Sequence, residues 1–136
     1  MSGGLFRTDG GARGSSGLDV SDPEIGKAWE RVRQGEEEWM LLEYEGKSKL
    51  KVKATGTGDL PLSDEEIVFG GLRSQTGKFF CLMCTGEHAN GLAKGRAAAH
   101  KNAAFNALDG TVGEVCGLSV EEFTSKLKEL KELEPR

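Results

Sequence analysis

The sequence predicts an α/β sandwich: one central mixed five-stranded sheet flanked by helices. Three observations carry this. The run Lys78-Phe79-Phe80-Cys81-Leu82-Met83-Cys84 is apolar on both faces, the pattern of a strand at the centre of a covered sheet. Shorter stretches before it alternate apolar and polar residues with period two. Helical periods precede, interrupt and follow the strands, giving the order α-ββ-ββ-α-β-α.

Residues 1–20 are rich in glycine and serine and poor in apolar side chains, so a disordered tail is expected there, with the folded domain spanning 21–136. The first helix is expected to open at Ser21-Asp22-Pro23-Glu24, with Ser21 and Glu24 as a capping box. Ile25, Ala28, Trp29 and Val32 form its buried stripe, and Gly35 closes it. Trp39 to Tyr44 and Lys49 to Ala54 read as a hairpin turning at Glu45-Gly46-Lys47. Leu50, Val52 and Ala54 alternate with Lys49, Lys51 and Lys53, which predicts one buried and one wet face.

Thr55 to Pro61 reads as a loop, with a short helical turn expected at Ser63 to Glu66. Ile67 to Leu72 is the third strand, and Arg73 to Gly77 turns it back into the fourth. A long Ala-rich helix follows from about Asn90 to Leu108. A break or kink is expected near Gly91 and Gly95, and Asp109-Gly110 ends the helix. Glu114-Val115-Cys116 is a short extended piece. Ser119 and Glu122 make a second capping box for a final helix with Val120, Phe123, Leu127 and Leu130 on its core side.

Composition narrows the function. A chain of 136 residues, 37% hydrophobic and 29% charged, fits one domain with a sizeable core. Its net charge of −4 argues against nucleic acid as the main partner, because phosphate binding favours a basic domain. No apolar run approaches the length of a membrane span, so no membrane partner is expected. The opening Met-Ser-Gly-Gly-Leu-Phe-Arg has no signal-peptide core and no glycine directly after Met, so an intracellular address is expected.

Catalytic signatures fall short one by one. Gly71 to Lys78 spaces its glycines one residue too far apart for a phosphate-binding loop, and Phe79 stands where Ser or Thr would hold magnesium. Cys81 and Cys84 have redox spacing, but on a strand residues i and i+3 point to opposite faces. A zinc site lacks ligands beyond His88, and no acidic loop suits calcium. His100, beside Lys101, reads as a solvated contact residue. Glu36-Glu37-Glu38 reads as a solvated loop.

What remains is a cationic helix, carrying Lys94, Arg96, His100 and Lys101, on an acidic chain. At about 100° per residue, Lys94 and Arg96 point about 160° apart, so they share a stripe only if the helix kinks. The small residues Gly95, Ala97, Ala98, Ala99, Ala103 and Ala104 permit close packing on the sheet or close approach by a partner.

The order of elements carries a resemblance, together with Gly77-Lys78-Phe79, Gly86-Glu87, Asn90-Gly91-Leu92-Ala93-Lys94-Gly95-Arg96 and Lys101. From about Asp22 to Leu133 the chain resembles an actin-depolymerising-factor homology domain of the ADF/cofilin superfamily. It is most similar to coactosin-like proteins, with their Ser-Lys-Phe strand start and basic opening of the long helix. Glu121-Glu122-Phe123 with Leu127-Lys128 is similar to the coactosin C-terminal helix.

The resemblance implies a gelsolin-like sandwich and a monomeric, non-catalytic protein of the cytoplasm and cytoskeleton. It implies no cofactor and no metal, with filamentous actin as the partner. Lys78, Lys94, Arg96, Lys101, Lys126 and Lys128 match basic positions that the family uses on actin. Two departures stand out. Thr55 to Glu66 leaves room only for a shortened second helix, and the turn Arg73 to Gly77 is shorter than in animal coactosins. Three alternatives remain: cofilin-like monomer binding and depolymerisation, a branching-complex binder of the glia-maturation-factor type, and a redox protein working through Cys81 and Cys84.

Overall fold

A computed structural model describes residues 17–134. Helix α1 (Pro23–Arg33) is capped by Asp22, whose carboxylate accepts the Glu24 N–H at 2.9 Å. Ser21, the expected cap, instead donates its hydroxyl to Asp19. Proline explains the difference: Pro23 fits the first helical position, which makes the residue before it the cap. Ile25, Ala28, Trp29 and Val32 are the buried stripe, as the periodicity predicts.

Strands β1 (Trp39–Glu45), β2 (Lys49–Gly56), β3 (Ile67–Arg73), β4 (Phe79–Thr85) and β5 (Thr111–Gly117) form one sheet in the order β2-β1-β3-β4-β5. All pairs are antiparallel except β4 with β5. A parallel pair needs a crossover, and helix α2 (Gly91–Asn106) supplies it. The last element, α3 (Val120–Leu133), begins at Ser119, whose hydroxyl accepts the Glu122 N–H as expected. β5 is longer than its expected core of Glu114 to Cys116. Of its glycines, Gly117 lies against the Phe123 backbone, where a side chain would not fit, and Gly113 lies close beneath the Phe80 ring.

The sheet buries side chains on both sides. Met40, Leu42, Phe69, Cys81 and Met83 face α1 and α2, while Leu41, Val68, Leu82, Cys84 and Val115 face the α3 side with Phe123. In α2 the sheet-facing positions are Ala97, His100 and Ala104. The two alanines are small enough to seat the helix close to β3 and β4.

Three sequence expectations are corrected here. β2 does not keep one alternation throughout: Leu41 pairs with Ala54 but Leu42 pairs with Val52, so Lys53 is an extra residue in a bulge. Leu50 and Val52 therefore pack on the α1–α2 side, and Ala54 on the other. Between β2 and β3 there is no helical turn, only a turn in which the Glu66 N–H reaches the Ser63 carbonyl at 3.4 Å. Leu60 and Leu62 of this loop cover the sheet there. Residues 1–16 of the expected tail lie outside the described residues, but 17–20 belong to the fold. Leu18 is fully buried, and Asp19 pairs in parallel with Lys49 at the outer edge of β2.

Gly71 and Gly95 predict opposite effects of one added methyl. A Cβ on Gly71 would overlap the Trp29 ring, whereas nothing lies within 4 Å of the Gly95 position. Gly71→Ala is expected to destabilise by about 1–3 kcal/mol through overpacking. Gly95→Ala is expected to stabilise by about 0.5–1 kcal/mol through helix propensity. Urea unfolding midpoints of the two variants check both signs.

Candidate functional site

α2 runs unbroken from Gly91 to Asn106, capped by Asn90, whose side chain accepts the N–H groups of Leu92 and Ala93. The helix is not interrupted at Gly95, so the helical wheel applies along its length. Lys94 and Lys101 lie about 20° apart on one flank, and Arg96 lies about 160° and 140° from them on the other. The crest between the flanks is uncharged: Gly91, Leu92, Gly95, Ala98, Ala99 and Asn102 are exposed, with Leu92 at 80%.

Each expected cation has a definite setting. Lys94 donates to the Glu87 carbonyl at 2.7 Å. Lys101 reaches across to the edge strand and pairs with Glu114 at 2.8 Å, which raises the lysine pKa and lowers that of the carboxyl. Lys126 pairs loosely with Glu122 on its own helix at 3.8 Å. Lys78 is exposed at the end of the β3–β4 turn, and like Arg96 and Lys128 it has no ion-pair partner among the described residues.

The six residues form no single patch. β4 leads from Lys78 toward α2, and α2 returns alongside it, so Lys94 and Arg96 lie at the far end of the sheet from Lys78. Seven strand residues at about 3.3 Å each separate the two ends by about 20 Å. At the Lys78 end the turn is fastened to the end of α3. Gln75 Nε2 donates to the carbonyls of Lys131 and Glu134 at 3.0 and 2.9 Å, and the Ser74 hydroxyl donates to the Glu134 carboxylate at 3.1 Å. This brings Lys131, a residue absent from the sequence expectations, to the same end as Lys78. No motif announces it, because the link joins positions 56 and 59 residues apart.

His100 is corrected: it is not solvated but 4% exposed, and its Nδ1 forms a 2.8 Å hydrogen bond with the Tyr44 hydroxyl. Glu37 and Glu38 are likewise not merely solvated. Glu38 accepts the Gly58 N–H at 2.8 Å in the loop after β2, and Glu37 accepts the Thr55 hydroxyl at 3.2 Å at the end of that strand. Cys81 and Cys84 are buried in the two separate clusters on opposite faces of β4. Burial raises both thiol pKa values, that of Cys84 to about 11. Among the described residues no group of three or more His, Cys, Asp and Glu side chains can hold a metal ion, and no helix is long and apolar enough to cross a membrane.

Two titrations check this environment. Tyr44 is the one tyrosine in the chain, and burial pushes its pKa up to about 12, against the opposing charge of Arg96. Its contribution to stability is complete below the unfolded value of 10 and is lost as the pH rises toward 12. Tyrosinate absorbance of the native protein is expected to rise well above pH 10, and in denaturant near pH 10. Cys81 and Cys84 are expected to react with a thiol reagent at pH 8 only after unfolding, because the thiolate is the reactive form and burial suppresses it.

No protein-family model and no curated protein sequence matches the chain. Solved structures do. Human coactosin-like protein aligns over 85% of this chain and 98% of its own, with a TM-score of 0.71 and 18% identity. Mouse coactosin, described as an actin filament binding protein, aligns over 88% and 94%, with a TM-score of 0.67 and 18% identity. Cofilin from Streptomyces griseoflavus aligns over 85% and 96%, with a TM-score of 0.69 and 14% identity. The mixed five-stranded sheet, its strand order and its three helices thus give this chain the fold of coactosins and cofilins, the ADF-homology fold.

Proposed function

We propose that the chain is an actin-binding protein that associates with actin filaments through charged surface residues and modulates filament dynamics without catalysis. The observation that carries this reading is the likeness in fold to mouse coactosin, an actin filament binding protein, over nearly the whole length of both chains. A cytoplasmic, cytoskeletal setting and action as a monomer go with it.

The geometry suits an extended partner. Two cationic sites at opposite ends of a sheet about 20 Å long are engaged together only by a broad surface or by adjacent copies of a repeating one. A filament offers the second. At one end, Lys78 projects from a turn braced against α3, so little ordering entropy is lost on docking. At the other, the crest of α2 presents small residues and Leu92 between Lys94 and Arg96, which lets a partner backbone come close while the cations meet acidic groups at the rim. Lys101 contributes less, because Glu114 already neutralises it.

Co-sedimentation with filamentous actin tests the reading. The wild type is expected to pellet saturably, and less at higher salt. Lys78→Ala and Arg96→Ala are each expected to weaken binding by about 0.5–2 kcal/mol, or about 2- to 30-fold, and Lys101→Ala by less. A wild-type protein that stays in the supernatant at low salt would contradict the proposal. Binding only to monomeric actin would move the function to the cofilin class.

A further inference from the structure

We propose that Asp64 is a positioning residue: one carboxylate that fixes the loop leading into α2 against the start of α3, and so sets where Leu92, Lys94 and Arg96 stand. The consequence for binding rests on the actin reading above; the positioning itself does not.

The loop between β2 and β3 holds no helix and must be anchored by other means. Its anchor lies at Asp64. One oxygen, Oδ1, accepts the Glu87 N–H at 3.0 Å and the Val120 N–H at 2.8 Å. The Asp64 carbonyl accepts the His88 N–H at 2.8 Å, and the Glu66 carbonyl accepts the Gly86 N–H at 2.9 Å. Three segments distant in sequence thus meet at one residue. Gly86 completes the fit: a Cβ there would overlap the Asp64 backbone, so only glycine lets the two strands of chain approach this closely.

The bonds matter for their donors. Val120 is the first residue of α3, and its N–H has no acceptor within the helix. The nearby Ser119 hydroxyl is occupied by the Glu122 N–H. Glu87 lies three residues before the α2 cap, and its carbonyl accepts from Lys94. Moving Glu87 therefore moves both the acceptor that holds Lys94 and the first turn of α2. Because α2 and α3 cover opposite faces of the sheet, Asp64 ties the two layers together at this end. The two N–H bonds hold its carboxyl below the usual carboxylate range.

Two independent readouts test the proposal. In the wild type, the amide proton shifts of Glu87 and Val120 are expected to follow a single titration with a midpoint below the usual carboxylate range. The anchor is intact above that midpoint and is lost as the pH falls through it. Asp64→Asn, which keeps an acceptor oxygen, abolishes this titration while retaining most protection of the two amides. Asp64→Ala is expected to raise hydrogen exchange at Glu87 and Val120 by about tenfold, leaving β3 and β4 amides unchanged. It is also expected to lower filament affinity about fivefold, with Asp64→Asn close to wild type.

Independent titrations of the two amides, or unchanged exchange in Asp64→Ala, would overturn the positioning role. Altered exchange with wild-type filament affinity would overturn its consequence for binding. If Asp64→Ala does not fold, the wild-type titration and Asp64→Asn decide the matter. A wild type that does not bind filaments refutes the actin reading, and exchange and titration still decide the anchor.

Discussion

The burial of β3 and β4 on both faces is the constraint from which the rest of the structure follows. Neither strand has a wet side, so each face must be covered by something that fits. On one face the fit is made by removing side chains. Gly71 leaves space for the Trp29 ring, and Ala97 and Ala104 let α2 lie close. Trp29 also donates its indole N–H to the Asp109 carbonyl at 2.8 Å, which ties α1 to the turn after α2. On the other face, Phe123 of α3 and Leu60 and Leu62 of the loop after β2 provide the cover.

The β2 edge of the sheet is covered by chain. The outer side of β2 takes the Leu18–Val20 segment, which pairs with it at Asp19, and Leu18 fills the core beneath. On the face of β1 and β2 turned toward the loop, Glu43, Lys51, Lys53 and Glu66 neutralise one another over 2.8–3.9 Å. A self-compensated, solvated face of this kind offers little to a charged partner. Lys78 and Arg96 have no such compensation, which is why the proposed contacts fall at the ends of the sheet.

Much of this was legible in the sequence because it rests on periodicity. The stripe of α1, the doubly buried β4, the Ser119 cap and the separation of Cys81 from Cys84 all follow from residue spacing alone. The misses share a different cause. The bulge at Lys53 shifts Ala54 to the other face, and no residue type announces a bulge. His100 looked solvated because its flanking sequence is basic, but its position on α2 turns it toward Tyr44 on a distant strand. The Gln75 and Asp64 contacts join positions more than twenty residues apart, where spacing carries no signal. The basic residues of the candidate site were visible one by one, but their division between two ends of the sheet came only with the topology.

In the proposed complex both ends of the sheet meet actin. A cryo-electron microscopy reconstruction of filaments saturated with the protein would show this arrangement. The expected density on the filament places the Lys78 turn against one actin surface and the crest of α2 against another, leaving the charged face of β1 and β2 in solvent. Bare filaments under saturating conditions, or attachment through that charged face, would contradict it.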